Sequence, residues 1–124
     1  MLDELTAGKP DSDVERTEDD QLFCAGCGAS VTRESLAVVR RDSHEHTVFN
    51  PMGQVFTIRC FGEAWGLLSP WAARGDFTWF PGYQWRVAVC GACGRHIGWR
   101  YDLQSGSDRF YGLIRSALSG RKPG

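Results

Sequence analysis

Cys24-Ala-Gly-Cys27-Gly28 and Cys90-Gly-Ala-Cys93-Gly94 repeat one pattern, a C-x-x-C-G turn. The two-residue spacing lets both thiolates of a turn face the same ion, and the following Gly relieves the backbone where amides turn toward sulfur. Two such turns supply four sulfurs, a set suited to tetrahedral Zn²⁺ in a closed structural site with no position left to activate water. The 62 residues between the pairs exceed the usual ribbon spacing. The ion would therefore staple the start of the folded body to a late hairpin. Disulfides and a redox C-x-x-C are the alternatives. The first is disfavoured without a secretion signal, and the second would not need a duplicate. Iron also fits four sulfurs.

The fifth cysteine, Cys60, falls on the Phe56/Ile58 side of an alternating run and reads as a small buried hydrophobe. As a nucleophile it would need a nearby His, and His44, His46 or His96 could reach it only through the tertiary fold. His44-Glu-His46 reads as a loop or edge strand rather than a metal site. His96, three residues past Cys93, could compete as a ligand, but four thiols make that unnecessary.

A second cluster is aromatic. Phe77, Trp79, Phe80, Tyr83, Trp85, Trp99 and Tyr101 lie within 25 residues. A hairpin closed at the second cysteine turn would set Trp85 and Trp99 nearly opposite each other, and Trp79 can return beside them across Pro81-Gly82. One reading is a Trp-rich core. Against it, every buried indole N–H needs a partner, and leaving three Trp around an open cavity forfeits burial worth several kcal/mol at ~25 cal/mol/Å². Such a cage would exist for a ligand. Aromatic cages commonly hold ammonium groups, yet residues 77–101 contain no Asp or Glu, which favours a neutral group unless Asp76, Asp102 or Glu63 approaches in the fold.

The elements that must position these residues are short. With 15 Gly in 124 residues and turn signals about every ten positions, the pattern is that of an antiparallel β domain. Gln54–Cys60 alternates with Phe56, Ile58 and Cys60 on one face, Trp85–Val89 with Trp85, Val87 and Val89, and His96–Tyr101 with Ile97, Trp99 and Tyr101. Asn50-Pro51-Met52-Gly53 and Phe80-Pro81-Gly82-Tyr83 are turns. Residues 63–74 and 107–118 are ambiguous; the latter fits an amphipathic helix or a final strand, with Gly112 weakening the helix. The length suits one domain. A formal charge of −1 divides into −6 over residues 1–20 and +5 over the rest. Residues 1–21 read as a disordered acidic leader, 22–118 as the folded domain and 119–124 as a tail. No apolar run reaches membrane-span length and no signal peptide is visible, so a cytoplasmic protein is expected. The body's charge, without a basic run, does not point to nucleic acid.

Asn50-Pro51, Asp76-Phe-Thr-Trp79-Phe-Pro-Gly-Tyr-Gln-Trp85, Val89-Cys-Gly-Ala-Cys93-Gly-Arg-His-Ile-Gly-Trp99-Arg-Tyr101 and Phe110–Leu118 together resemble the thalidomide-binding domain of cereblon, in a stand-alone, bacterial version. The resemblance covers about Leu22 to Leu118. It implies a mostly β, two-sheet β-tent pinned by one zinc at Cys24, Cys27, Cys90 and Cys93. It also implies a pocket walled by Trp79, Trp85 and Trp99 with Tyr101 at its base. In the family a glutarimide or similar cyclic imide sits among these rings and bonds mainly to backbone at the positions of Phe77 and Trp79. Asn50, Pro51 and Phe56 match positions that help close the site. Implied ligands include cyclic imides at protein C-termini, whose neutral ring with polarised C–H bonds suits π faces.

Phe77 and Met52 stand where animal cereblon has His, and Tyr101 where it has Phe. The chain has no match to the Lon-like domain or adaptor-binding helices of the ubiquitin-ligase receptor, so no adaptor partner is expected. The enzymatic rival is a zinc-bearing methionine sulfoxide reductase, but no Cys follows Cys93 to serve as its nucleophile. A zinc-ribbon reader of methyl-lysine or nucleic acid is a further rival, opposed by the acid-free cage. Imide hydrolysis lacks a visible base–nucleophile set. The expectation is a binding module, not an enzyme.

Overall fold

A computed structural model describes residues 20–120. The leader expected over 1–21 therefore lies outside the described residues except for Asp20 and Gln21, and the tail except for Ser119 and Gly120. Nine strands form: β1 (Gln21–Cys24), β2 (Ser30–Arg33), β3 (Glu45–Phe49), β4 (Val55–Phe61), β5 (Leu67–Leu68), β6 (Tyr83–Cys90), β7 (His96–Leu103), β8 (Arg109–Ile114) and β9 (Leu118–Ser119). No α-helix occurs among the described residues; single 3₁₀ turns span Glu34–Leu36 and Arg115–Ala117. The ambiguous segment 107–118 is thus strand and turn. Its Gly112 serves packing, because a Cβ there would lie 3.1 Å from both the Tyr101 ring and Ile58 Cδ1.

The strands make two antiparallel sheets, β2-β1-β9 and β3-β4-β8-β7-β6-β5. The larger sheet buries both faces. On one, Phe61, Ala88, Ile97 and Leu113 pack with Leu22 and Val31 of the smaller sheet. On the other, Ile58, Cys60, Trp99, Tyr101 and Phe110 pack under Phe80, which arrives on the loop before β6. Each fully buried side chain of this size contributes about 1.5–3 kcal/mol, so the loop carrying Phe80 is anchored by the core rather than laid over it.

The hairpin β6–β7 departs from simple alternation. Its register shifts between Ala88 and Val89, so that Val89 pairs with His96 while Ala88 pairs with Gly98. Ile97 is the extra residue, and the bulge turns it away from Trp99 and Tyr101 into the inter-sheet core. The expectation that Ile97 shares their face is corrected. So is the expectation that Trp85 faces Trp99: Trp85 pairs with Tyr101 and Trp99 with Val87, leaving the two indoles diagonal on one face.

Candidate functional site

The first cysteine turn joins β1 to β2 and the second joins β6 to β7, and the two are built alike. Gly28 N–H donates to Cys24 O and Gly94 N–H to Cys90 O, both at 2.8 Å. Both glycines take positive φ, 81° and 80°, which a side chain would resist. The four Sγ atoms lie within 4.8 Å of one another, with Cys24–Cys93 at 3.8 Å and Cys27–Cys90 at 3.6 Å. All are free thiols. An ion about 2.3 Å from each of four tetrahedral sulfurs sets them about 3.8 Å apart, so the cluster fits one metal ion.

The local field agrees with that fit. Burial raises the Cys90 thiol, but the amides of Cys93 and Ala92 and the thiols of Cys27 and Cys93 outweigh it and lower the group to about 7. At Cys27 the Ala29 amide lowers the pKa, but desolvation and the other three thiols prevail and hold it at about 11. Metal binding requires these thiols to lose their protons, and the lowered Cys90 thiol is the one that does so most readily. Because β1 and β6 belong to different sheets, an ion here ties the sheets together.

The histidines stand outside this cluster. His96 Nε2 donates to Gly98 O at 3.0 Å, and its ring meets Trp99 edge-on at 4.8 Å. His44 accepts from Arg59 Nε at Nε2 and donates through Nδ1 to Val38 O. His46 Nε2 donates to Arg40 O. Cys60 is fully buried, as expected, and burial pushes its thiol up to about 11.

The aromatic residues surround a cavity of about 380 Å³. Trp85 comes from β6, Trp99 and Tyr101 from β7, Phe77 and Trp79 from the loop before β6, and Asn50 to Met52 from the β3–β4 turn. Trp79 meets Trp99 edge to face, with centroids 4.8 Å apart and planes at 87°. Two indole N–H groups are satisfied by backbone: Trp79 Nε1 donates to Phe49 O at 3.0 Å and Trp85 Nε1 to Asp76 O at 2.7 Å. The two N–H groups are thereby satisfied without a side-chain partner, and both rings line the cavity. The loop is tied to the sheet where Arg74 and Trp85 exchange backbone hydrogen bonds of 2.8 and 2.7 Å.

Phe77 occupies a left-handed backbone conformation, φ 56°, and is 71% exposed. An exposed aromatic in that region carries strain of order 1 kcal/mol or more. Beside it, neither backbone group of Phe77 nor the N–H of Thr78 or Trp79 is hydrogen-bonded to a described residue. Asn50 is committed to its own turn, where Oδ1 accepts from Met52 and Gln54 N–H at 3.0 and 2.9 Å. Phe56 does not line the cavity. It packs behind, 5.3 Å from Trp99 and 6.4 Å from Trp79.

Sequence reasoning missed Arg74 as a lining residue, and Asp76 does approach the cage. Arg74 Nε and Nη2 donate to the two Asp76 carboxylate oxygens at 2.9 and 2.8 Å, and its guanidinium lies 5.5 Å from the Trp85 ring centroid. The hydrogen bonds from Arg74 hold the Asp76 carboxyl below its usual range. The one carboxylate at the rim is therefore neutralised by a cation already stacked on the cage. Arg74 has no motif of its own; only its pairing with Trp85 brings it there.

Two antiparallel sheets that meet at four cysteines able to hold one metal ion, together with an aromatic-walled cavity, define a small β domain with a candidate metal centre. No family model matches the chain. It is similar to cereblon of Gallus gallus, 35% identical over 77 residues, covering 60% of this chain and 17% of that protein. It is similar to cereblon of Xenopus tropicalis, 37% identical over 79 residues, with 60% and 17% covered. With cereblon of Drosophila pseudoobscura pseudoobscura it is 29% identical over 115 residues, 86% of this chain and 18% of that protein. Across its folded body the chain is similar to cereblon, and the likeness to that family read from its motifs is borne out. The match spans less than a fifth of each relative's length. Among the described residues no helix is long and apolar enough to cross a membrane.

Proposed function

We propose that the domain is a binding module that holds a cyclic imide of the glutarimide type, such as thalidomide or a cyclised Asn or Gln at a protein C-terminus, between Trp79, Trp85 and Trp99. Tyr101 forms the base, Phe77, Asn50 and Pro51 form the rim, and Phe56 acts as backing. The observation that carries this reading is the pairing of aromatic faces with the unbonded backbone groups of Phe77 to Trp79. A flat, neutral ring with both donors and acceptors satisfies both features. A cation does not, because Arg74 already occupies the cation–π position on Trp85. Zn²⁺ is the ion we assign to Cys24, Cys27, Cys90 and Cys93, where it would have a structural role, and the folded domain spans residues 22–118.

Reductase chemistry is disfavoured by the state of Cys60, a fully buried thiol whose pKa is raised rather than lowered. The test is titration with glutarimide or N-acetyl-aminoglutarimide, followed by Trp fluorescence. Stacking against three indoles should quench or shift the emission with a Kd in the micromolar range, about −8 kcal/mol. A flat response up to about 1 mM, about −4 kcal/mol, would remove imide binding as the function.

A further inference from the structure

A second cavity, of about 450 Å³, lies against the cage. The two share Asn50, Pro51, Phe77 and Trp79 as lining, so they meet over one rim, with Trp79 between them and the exposed Phe77 ring on the ridge. Most of the second cavity is apolar, contributed by Val48, Phe49, Pro51 and Pro81. Arg41 is the one charged side chain among its lining residues.

Arg41 is held there by its own backbone and by one hydrogen bond. It takes φ 50° at the start of the turn that precedes β3, and its Nη1 donates to Trp79 O at 2.6 Å. A guanidinium carries five N–H donors in a planar fork. The remaining donors have no partner among the described residues. A positive fork beside an apolar wall, with no carboxylate lining the cavity, matches a group that combines hydrocarbon with a carboxylate.

The cage accounts only for the imide ring. Whatever bears that ring must leave across the rim, and the rim leads over Phe77 into this cavity. We infer that the second cavity is a subsite for the residue preceding a C-terminal cyclic imide, and that Arg41 makes it favour an acidic side chain there. This rests on the imide reading of the cage and gives it a sequence preference.

The test uses three short acetylated peptides that end in aminoglutarimide and carry Glu, Gln or Lys immediately before it, with N-acetyl-aminoglutarimide as the parent. Binding is followed by Trp fluorescence at low and at high salt. The Glu peptide should bind about fivefold more tightly than the Gln peptide, the scale of a partly exposed ion pair. The Lys peptide should bind most weakly, and the spread should shrink in high salt. In Arg41→Gln the Glu-to-Gln ratio should fall to near one, while Arg41→Lys should retain part of it. Reading a ratio within each variant cancels any change the substitution makes to the cage through Trp79. If the parent binds and the three peptides bind alike, the subsite is overturned and the imide reading stands. A Glu preference that survives in Arg41→Gln also overturns it. If the parent itself does not bind, both readings fall together.

Discussion

Trp85 stands directly across the β6–β7 ladder from Tyr101, whereas Trp99 stands across from Val87. That offset gives the two indoles different jobs. Trp99 is 8% exposed and is gripped by Trp79, Phe56 and His96, all within about 5 Å of its ring. Trp85 is half-buried and faces the cavity with Arg74 over it.

Trp85→Ala should therefore abolish the fluorescence response to glutarimide while leaving thermal melting within a few degrees of the parent. Trp99→Ala removes a core side chain, at a cost of about 3–5 kcal/mol, and should lower the melting temperature as well as binding. Equal melting losses in the two variants would contradict the division of roles.

Metal removal should act on the whole domain. The four cysteines bring the end of β1 in one sheet beside the end of β6 in the other, and binding energy at such a site would be folding energy. Metal analysis should return one zinc per chain. Stripping it with a strong chelator should collapse the near-UV circular dichroism of the buried aromatics and the thermal transition in one step. A metal-free sample with both signals intact would mean that the sheets hold together without the ion.

Gly98→Ala should be among the most damaging small substitutions. A Cβ there would come within 2.2 Å of Gly112 O and 2.8 Å of Leu113 Cα, backbone atoms of the neighbouring strand that no rotamer can move. Overpacking alone costs about 1–3 kcal/mol, and separating β7 from β8 should exceed that. Chemical denaturation should show a lower midpoint, and Gly75→Ala, with nothing within 4 Å of its Cβ, provides the comparison expected to be near neutral.

The cysteine site and the cage walls were legible because their signals are local: a turn with fixed spacing, and a parity that puts Trp99 and Tyr101 on one face. The relative placement of the walls was not, because it turns on a single bulge. Ile97 alternates perfectly in sequence with Trp99 and Tyr101, and nothing in the string says that it will drop out of register. Arg74 was invisible for a related reason. A two-residue backbone bridge to Trp85 has no hydrophobic period, yet it sets the cage's charge. The identity of 107–118 hung on Gly112, whose weakening of a helix is a local signal. Its stronger reason, the Tyr101 ring lying over it, is tertiary.

Acid should loosen the domain through Asp108. Tyr83 hydroxyl and Arg40 both donate to its carboxylate, and these hydrogen bonds, Tyr83's first, hold its pKa below the usual value. A depressed folded pKa means stability that is fully present above the unfolded value, about 4, and is lost as pH falls through the lower folded value. Melting temperature should hold from neutral pH to about 4 and then drop. Asp108→Asn should lower stability at pH 7 by up to about 1 kcal/mol, given its partial exposure, and flatten the acid limb. An unchanged acid limb in that variant would assign the pH response elsewhere.

Tyr101→Phe should stabilise the protein. Tyr101 is 1% exposed, enclosed by Phe80 and Phe110, and its hydroxyl makes no hydrogen bond with a described residue. Burial, with a smaller effect from Cys60, raises its pKa well above the ordinary phenol value. The hydroxyl lies at the cavity floor and is not one of the fully buried unpaired polar atoms, so deleting it should return less than the roughly 1–3 kcal/mol of a fully unsatisfied group and raise the melting temperature by about 4 °C at most. The stacked pair with Phe110, with planes at 16° and centroids at 5.0 Å, survives the change because the phenyl ring remains. A fall in melting temperature would show that the hydroxyl has a partner in solution, a cavity water being the simplest, and would make it part of the cage floor that a ligand must meet.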